Sequence, residues 1–190
     1  AARVVAGLKR LEYRGYDSWG VSAVANAGAD ESKKVETNTL YVEKEVGAIG
    51  DVSSKEYPNS AAAIGHTRWA THGGVTASNA HPHLSRDGSI AVVHIGVIEN
   101  HEALRGSLQN VEFISETDTE VFVRLLEQHL AEGVEVSAAI EAVFEQVEGR
   151  NAFVVLTAAG DVYAIRRGSP LILGRDVHEN ADSFADRAQR

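Results

Sequence analysis

The sequence predicts an α+β fold built on antiparallel sheets, and two observations carry the prediction. Short apolar runs are separated by turn residues, as in "NAFVVLTAAGDVYAIRRGSPLILGR" (151–175), where Gly160-Asp161 and Gly168-Ser169-Pro170 punctuate three strand-length runs. The helically periodic segments are mostly grouped together, between 101 and 148. Strands that follow one another without alternating helices pair as hairpins, not as parallel crossovers. A content of 44% hydrophobic and 24% charged residues over 190 positions matches an ordinary globular domain with a sizeable core.

Each element follows in order. Residues 1–12 place Val4, Val5, Leu8 and Leu11 on one helical face, and Gly15 is the expected stop. "WGVSAVANA" (19–27) reads as a buried strand and "AGADESKK" as a polar turn; 39–46 alternate weakly as a second strand. After a loop at 53–60, "AAAIGHTRW" (61–69) and "SIAVVHIGVI" (89–98) read as strands. A short helix spans 101–108. A longer one spans 115–133, with Ser115 or Thr117 as cap, acidic residues in its first turn and Gly133 at its end. Its apolar face is Val121, Leu125, Leu126 and Leu130. A third helix, 136–148, turns Ala139, Ile140, Val143, Phe144 and Val147 inward. Residues 176–190 are a polar tail without pattern.

Charge and composition exclude several function classes. The net charge of −9 disfavours a nucleic-acid binder, which gains affinity from clustered Lys and Arg. No run approaches the ~18 apolar residues of a membrane span, so no membrane partner is expected. With no cysteine in the chain there is neither a disulfide framework nor a thiolate zinc site, and a cytoplasmic location is expected.

The chemistry concentrates in "HTRWATHGGVTASNAHPH" (66–83). His66, His72, His81, His83, His94 and His101 fall within 36 residues. His81-Pro82-His83 offers a ligand pair, yet no H-E-x-x-H pattern accompanies it, so the expectation is no metal and no other cofactor. Trp69 is either a core residue or part of a site. A strand end running into Arg-Trp-Ala-Thr-His-Gly gathers a guanidinium fork, a hydroxyl, an imidazole and bare backbone N–H groups on one loop, which is what an amino-acid carboxylate needs.

Six motifs in order carry a resemblance: "LKRLEYRGYDSWG" (8–20), "GHTRWATHG" (65–73), "NAHPH" (79–83), "VVHIGVIENHEALR" (92–105), "SETDTEV" (115–121) and "RRGSPLILG" (166–174). Together they resemble the glutaminase domain of the glutamine–fructose-6-phosphate aminotransferases, which are class-II glutamine amidotransferases and N-terminal nucleophile hydrolases. The resemblance covers residues 1–175 and leaves 176–190 unmatched. It implies a four-layer αββα sandwich of two antiparallel sheets. It also implies hydrolysis of L-glutamine to glutamate and ammonia for glucosamine-6-phosphate synthesis. Arg68 would grip the substrate α-carboxylate with Thr71 and His72, and Asp118 would take the α-ammonium. Trp69 would belong to a gating loop, Gly96 would give a backbone N–H to the oxyanion, and Arg14 would support the nucleophile. Partners would be glutamine and an isomerase domain of the same enzyme, in a full enzyme that allows a homodimer.

The sequence departs from this family in three places. The family's first strand, Cys-Gly-Ile-Val-Gly, supplies the nucleophile; the chain begins at Ala1 and the nucleophilic Cys is absent. The family's His-Asn-Gly reads His94-Ile95-Gly96, so one oxyanion donor is replaced by an apolar side chain. The residues after 174 match only in part. The expectation is a domain incomplete at both ends, which as given has no glutaminase activity. Two functions stay open: the glutaminase part of the aminotransferase, or a catalytically inactive glutamine-binding relic.

Overall fold

The computed structural model describes residues 1–24, 39–50 and 57–174. Helix α1 (Ala2–Leu11) and a 3-10 turn (Glu12–Arg14) precede strands β1 (Ser18–Val24), β2 (Leu40–Val46), β3 (Ala63–Arg68), β4 (His83–Leu84) and β5 (Ile90–Gly96). Helices α2 (His101–Ser107), α3 (Asp118–Ala131) and α4 (Val136–Gln146) follow, then strands β6 (Asn151–Thr157) and β7 (Val162–Arg167). Every strand pair is antiparallel. The strands form two sheets, ordered β2-β1-β3 and β4-β5-β6-β7.

The period-2 alternation of strands decides which sheet face meets which neighbour. On β1, Trp19 and Val21 are buried against Val5 and Leu8 of α1. Leu40 of β2 and Ile64 of β3 instead pack on Ala91, Val93 and Leu156 of the second sheet. The other face of that second sheet carries Val92, Phe153 and Val155, which close with Phe122, Leu126, Ile140 and Phe144 of α3 and α4 into the largest apolar cluster. Phe153 stacks on Phe122 at 4.1 Å between ring centroids and meets Phe144 edge-on at 6.0 Å. The layers therefore run helix, sheet, sheet, helices: the expected four-layer αββα sandwich.

Several local expectations are corrected. The buried face of α1 is Val5 and Leu8, while Leu11 is 42% exposed, because the 3-10 turn redirects the chain at that point. Gly15 does not stop α1. It is extended, and a Cβ there would lie 2.8 Å from the Arg68 carbonyl carbon, so the residue serves close backbone approach instead. Thr117 is the N-cap of α3 but makes no cap bond; its hydroxyl pairs with His83 Nε2 at 2.9 Å. α3 begins at Asp118, three residues later than expected, because Ser115 turns its hydroxyl onto Glu120 instead of capping. The third C-terminal strand is absent among the described residues. Ile172 and Leu173 are 85% and 87% exposed, since no strand among the described residues pairs with them. The short β4 has no sequence signal; it exists because His83 and Leu84 pair with Val92 and Ala91. The polar turn at 27–34 and the tail at 176–190 lie outside the described residues.

Phe153 anchors the helix-facing core, so Phe153→Ala should lower stability by about 3–5 kcal/mol. Val162→Ala on β7, where the side chain is 52% exposed, should change it by less than about 0.5 kcal/mol. Urea denaturation of the two variants checks both.

Candidate active site

The C-terminal ends of β3 and β5 and the N-terminus of α3 converge on one cleft of about 160 Å³. It is lined by Arg14, Arg68, Trp69, Thr71, His72, Gly96 and Asp118, together with Ile95 and Thr119. Every site residue singled out in the sequence thus faces the same cavity, although Arg14 and Asp118 are 104 positions apart.

Arg68 is 4% exposed. Its guanidinium donates to the carbonyls of Gly74 at 3.0 Å, Gly73 at 3.4 Å and His72. The loop after β3 is therefore wrapped around its own arginine. Burial pushes the Arg68 pKa down, against the opposing pull of Asp17, Asp118 and Glu116. From outside, exposed Glu116 accepts the Gly74 N–H at 2.9 Å and the Asn79 amide at 3.0 Å. The Gly74 bond, and next the Asn79 bond, hold the Glu116 pKa below the usual carboxylate range. Trp69 is 59% exposed and meets Tyr16 edge-on at 5.5 Å, so it is not a core residue. Thr71 and Arg14 are exposed at the mouth. The His72 ring lies edge-on to His101 at 5.2 Å, and its buried Nδ1 has no hydrogen-bond partner among the described residues.

Asp118 is 6% exposed at the first position of α3, where the helix N-terminus favours a carboxylate. Its Oδ2 accepts the Ile98 N–H at 2.8 Å. Gly96 has φ +135, and a Cβ there would lie 2.3 Å from the Arg150 carbonyl oxygen and 2.7 Å from Asn151 Oδ1, so no other residue fits. Ile95 lines the cleft and is 57% exposed.

Buried imidazoles form one wall of the cleft: His66, His81 and His94 line it, and His83 lies beyond them. Successive ring centroids are 4.4 Å apart for His66 and His81, and 4.8 Å for His81 and His83. Thr119 Oγ1 sits 3.0 Å from His81 Nε2 and 2.9 Å from His94 Nδ1. His94 Nε2 sits 2.8 Å from Asn151 Oδ1. Burial drives the His66 pKa down to about 4, and neighbouring positive groups add to this. Burial lowers His81 and His83 well below the ordinary value too. His94 is lowered by burial against the opposing pull of Asp118 and the bond to Asn151. All four are neutral near pH 7. Among the described residues no group of three His, Asp or Glu is arranged to hold a metal ion.

Thr119, His94, Asn151 and Glu116 were missed as site residues. The first and last lie inside the "SETDTE" motif, and His94 was counted only as one of six histidines. For Asn151 the sequence holds no signal.

The chain belongs to the family of glutamine amidotransferase domains, which matches residues 18–169. It is 44% identical over 177 residues to a glutamine–fructose-6-phosphate aminotransferase (isomerizing) from Streptomyces coelicolor, covering 90% of this chain and 27% of that one. It is 40% identical over 191 residues to the enzyme of the same name from Halobacterium salinarum, covering 97% and 30%. Among solved structures, a glutamine phosphoribosylpyrophosphate amidotransferase from B. subtilis complexed with ADP and GMP superposes with a TM-score of 0.65 and 25% identity, over 83% of this chain and 32% of that one. The chain thus spans less than a third of the length of these relatives.

The neutral imidazole layer makes stability depend on pH. In the folded chain the histidines resist protonation, whereas in the unfolded chain they take up protons below about pH 6.5. Their contribution is therefore fully present above about pH 6.5 and is lost as pH falls toward the folded value of about 4 for His66. His66 alone accounts for about 3 kcal/mol over that window. Urea midpoints at a series of pH values should fall steadily below about pH 6.5; midpoints flat down to about pH 5 would contradict the neutral layer.

Proposed function

We propose that this chain binds L-glutamine and serves as the glutaminase part of a glutamine–fructose-6-phosphate aminotransferase. The observation that carries this reading is the pairing of opposite charges in one small cleft. Arg68 and Asp118 both line it, and an amino acid's carboxylate and ammonium require that polarity. Arg68 has N–H groups beyond those given to the loop carbonyls, since a guanidinium carries five. Thr71 and His72 add further donors to the carboxylate end. Asp118, anchored through Oδ2, receives the ammonium at its free lone pairs.

With the α-substituents held at these two poles, the side-chain amide of glutamine reaches toward Ile95, Gly96 and Arg14. In the reaction a thiol gives its proton to its own residue's α-amine and attacks the amide carbon, and the oxygen gains negative charge opposite the Gly96 N–H. The C–N bond then breaks as the nitrogen takes a proton from the attacking residue's α-amine, and water hydrolyses the thioester to glutamate. Ammonia passes to an isomerase domain of the same enzyme, past Trp69 as a gate. The 190 residues hold no cysteine, so the thiol comes from outside them.

A second reading, a glutamine-binding relic without the chemistry, is favoured by Ile95, whose exposed side chain occupies the cleft without a donor to offer an oxyanion. Two experiments follow. Calorimetry should show L-glutamine binding to the chain. Arg68→Ala or Asp118→Asn should each weaken it by about 2 kcal/mol or more, roughly thirtyfold. Joining a Cys-Gly-Ile-Val-Gly strand and its short linker before Ala1, with the strands after 174 taken from a complete family member, should yield weak glutaminase activity, and Ile95→Asn in that protein should raise kcat by about 10²–10³-fold with little change in KM. An unchanged kcat would remove residue 95 from the oxyanion site.

A further inference from the structure

The hydrogen-bond partners around His94 fix its proton positions. Asn151 donates Nδ2–H to the Glu148 carbonyl at 3.0 Å, and a carbonyl can only accept. The amide is therefore oriented, and Asn151 Oδ1 is the atom facing His94 Nε2 at 2.8 Å. His94 Nε2 must carry the hydrogen, which leaves Nδ1 of the neutral ring bare. Thr119 donates its single hydroxyl hydrogen to that Nδ1 at 2.9 Å. The Thr119 oxygen in turn accepts from His81 Nε2–H at 3.0 Å. The whole line runs one way, from His81 through Thr119 and His94 to Asn151, and every proton in it is assigned.

Asp118 lies beside this line. Its Oδ2 is 3.9 Å from His94 Nδ1, and its Oδ1 is 3.5 Å from Thr119 Oγ1. Were His94 to take a second proton on Nδ1, two changes would follow together. A cation would stand against Asp118 Oδ2. The Thr119 oxygen would then accept from both imidazoles, and its hydrogen would turn to Asp118 Oδ1. Both changes neutralise the carboxylate from within. We propose that Thr119 and His94 are positioning residues for Asp118: by keeping the Thr119 O–H donated to the bare His94 Nδ1, they leave the Asp118 charge free for the α-ammonium of the ligand. This rests on the glutamine reading of the cleft.

Other groups facing His94 are consistent with the arrangement. β3 presents His66 and Arg68, the segment before β4 presents His81, and His83 lies beyond it. Burial is what opposes protonation of His94. Asp118 on α3 favours it. β6 presents Phe153, stacked on the His94 ring at 4.2 Å, and Asn151, neither of which titrates.

The test uses the chain as it stands. 15N NMR of the imidazoles at neutral pH should find His94 protonated on Nε2 only; a ring protonated on Nδ1 overturns the proposal and needs no variant. Thr119→Val removes the donor to Nδ1, so the His94 titration midpoint should rise by about one pH unit or more. Glutamine affinity should then fall as pH drops through the raised midpoint and match the unsubstituted chain at alkaline pH, while Thr119→Ser keeps the wild-type profile. An unchanged His94 midpoint in Thr119→Val, or a loss of affinity that is the same at every pH, overturns the proposal. A wild-type chain that binds no glutamine at any pH overturns the assignment of the site instead, and the His94 titration, read without ligand, still decides the proton arrangement.

Discussion

A guanidinium taken out of water must find acceptors or lose several kcal/mol, and Arg68 at the end of β3 is in that position. Its acceptors are the carbonyls of three consecutive residues, His72, Gly73 and Gly74. Converging three neighbouring carbonyls on one side chain leaves little choice of path for the intervening chain. Glu116 takes the Gly74 N–H from the opposite side, so that residue is held at both its donor and its acceptor. The loop that frames the cleft is thus specified by one arginine and one glutamate from different halves of the chain. The presentation of Thr71 and His72 follows from it.

The two charged poles of the cleft are built alike. Arg68 is partly satisfied by backbone carbonyls, and Asp118 is partly satisfied by the backbone N–H of Ile98. Each keeps capacity in reserve, and neither neutralises the other through direct contact. Around them the imidazoles stay uncharged, which spares the interior the cost of burying four more cations. A neutral imidazole is one donor and one acceptor, and that property lets Thr119 and Asn151 be joined in series across the second sheet and α3.

Much of this was legible in the sequence. The strands and helices with strong apolar patterning, such as 89–98 and 136–148, appear within a few residues of their expected bounds, because burial on one or both faces leaves a periodic trace. The residues of the cleft were legible for a different reason: Arg68, Thr71 and His72 share a loop whose residue types suit an amino-acid carboxylate, and Asp118 came from the family resemblance alone. What was not legible depended on distant partners. β4 is two residues long and exists only through its pairing with β5. Thr117 looks like a helix cap, but a buried imidazole competes for its hydroxyl and wins. Arg68 in "HTRWATHGG" announces a carboxylate grip, yet nothing in the string reveals that it first binds its own loop. Asn151 opens β6 like any strand-start residue, and only the fold brings it to His94.

Gly15 has a mechanical consequence. Its Cα lies so close to the Arg68 backbone that no side chain fits between them. Two residues on, the Asp17 N–H bonds the Arg68 carbonyl at 3.1 Å, and Asp17 Oδ2 takes the Ala70 N–H at 2.8 Å. The segment that follows α1 is therefore riveted to the end of β3 at three points within four residues. Arg14 and Tyr16 on one side, and Arg68 and Trp69 on the other, form a single stiff bracket. α1 runs into that bracket through the 3-10 turn and lies on Gly65 of β3 through Val4 and Leu8, so a shift of the helix along the sheet is delivered to the rim of the cleft.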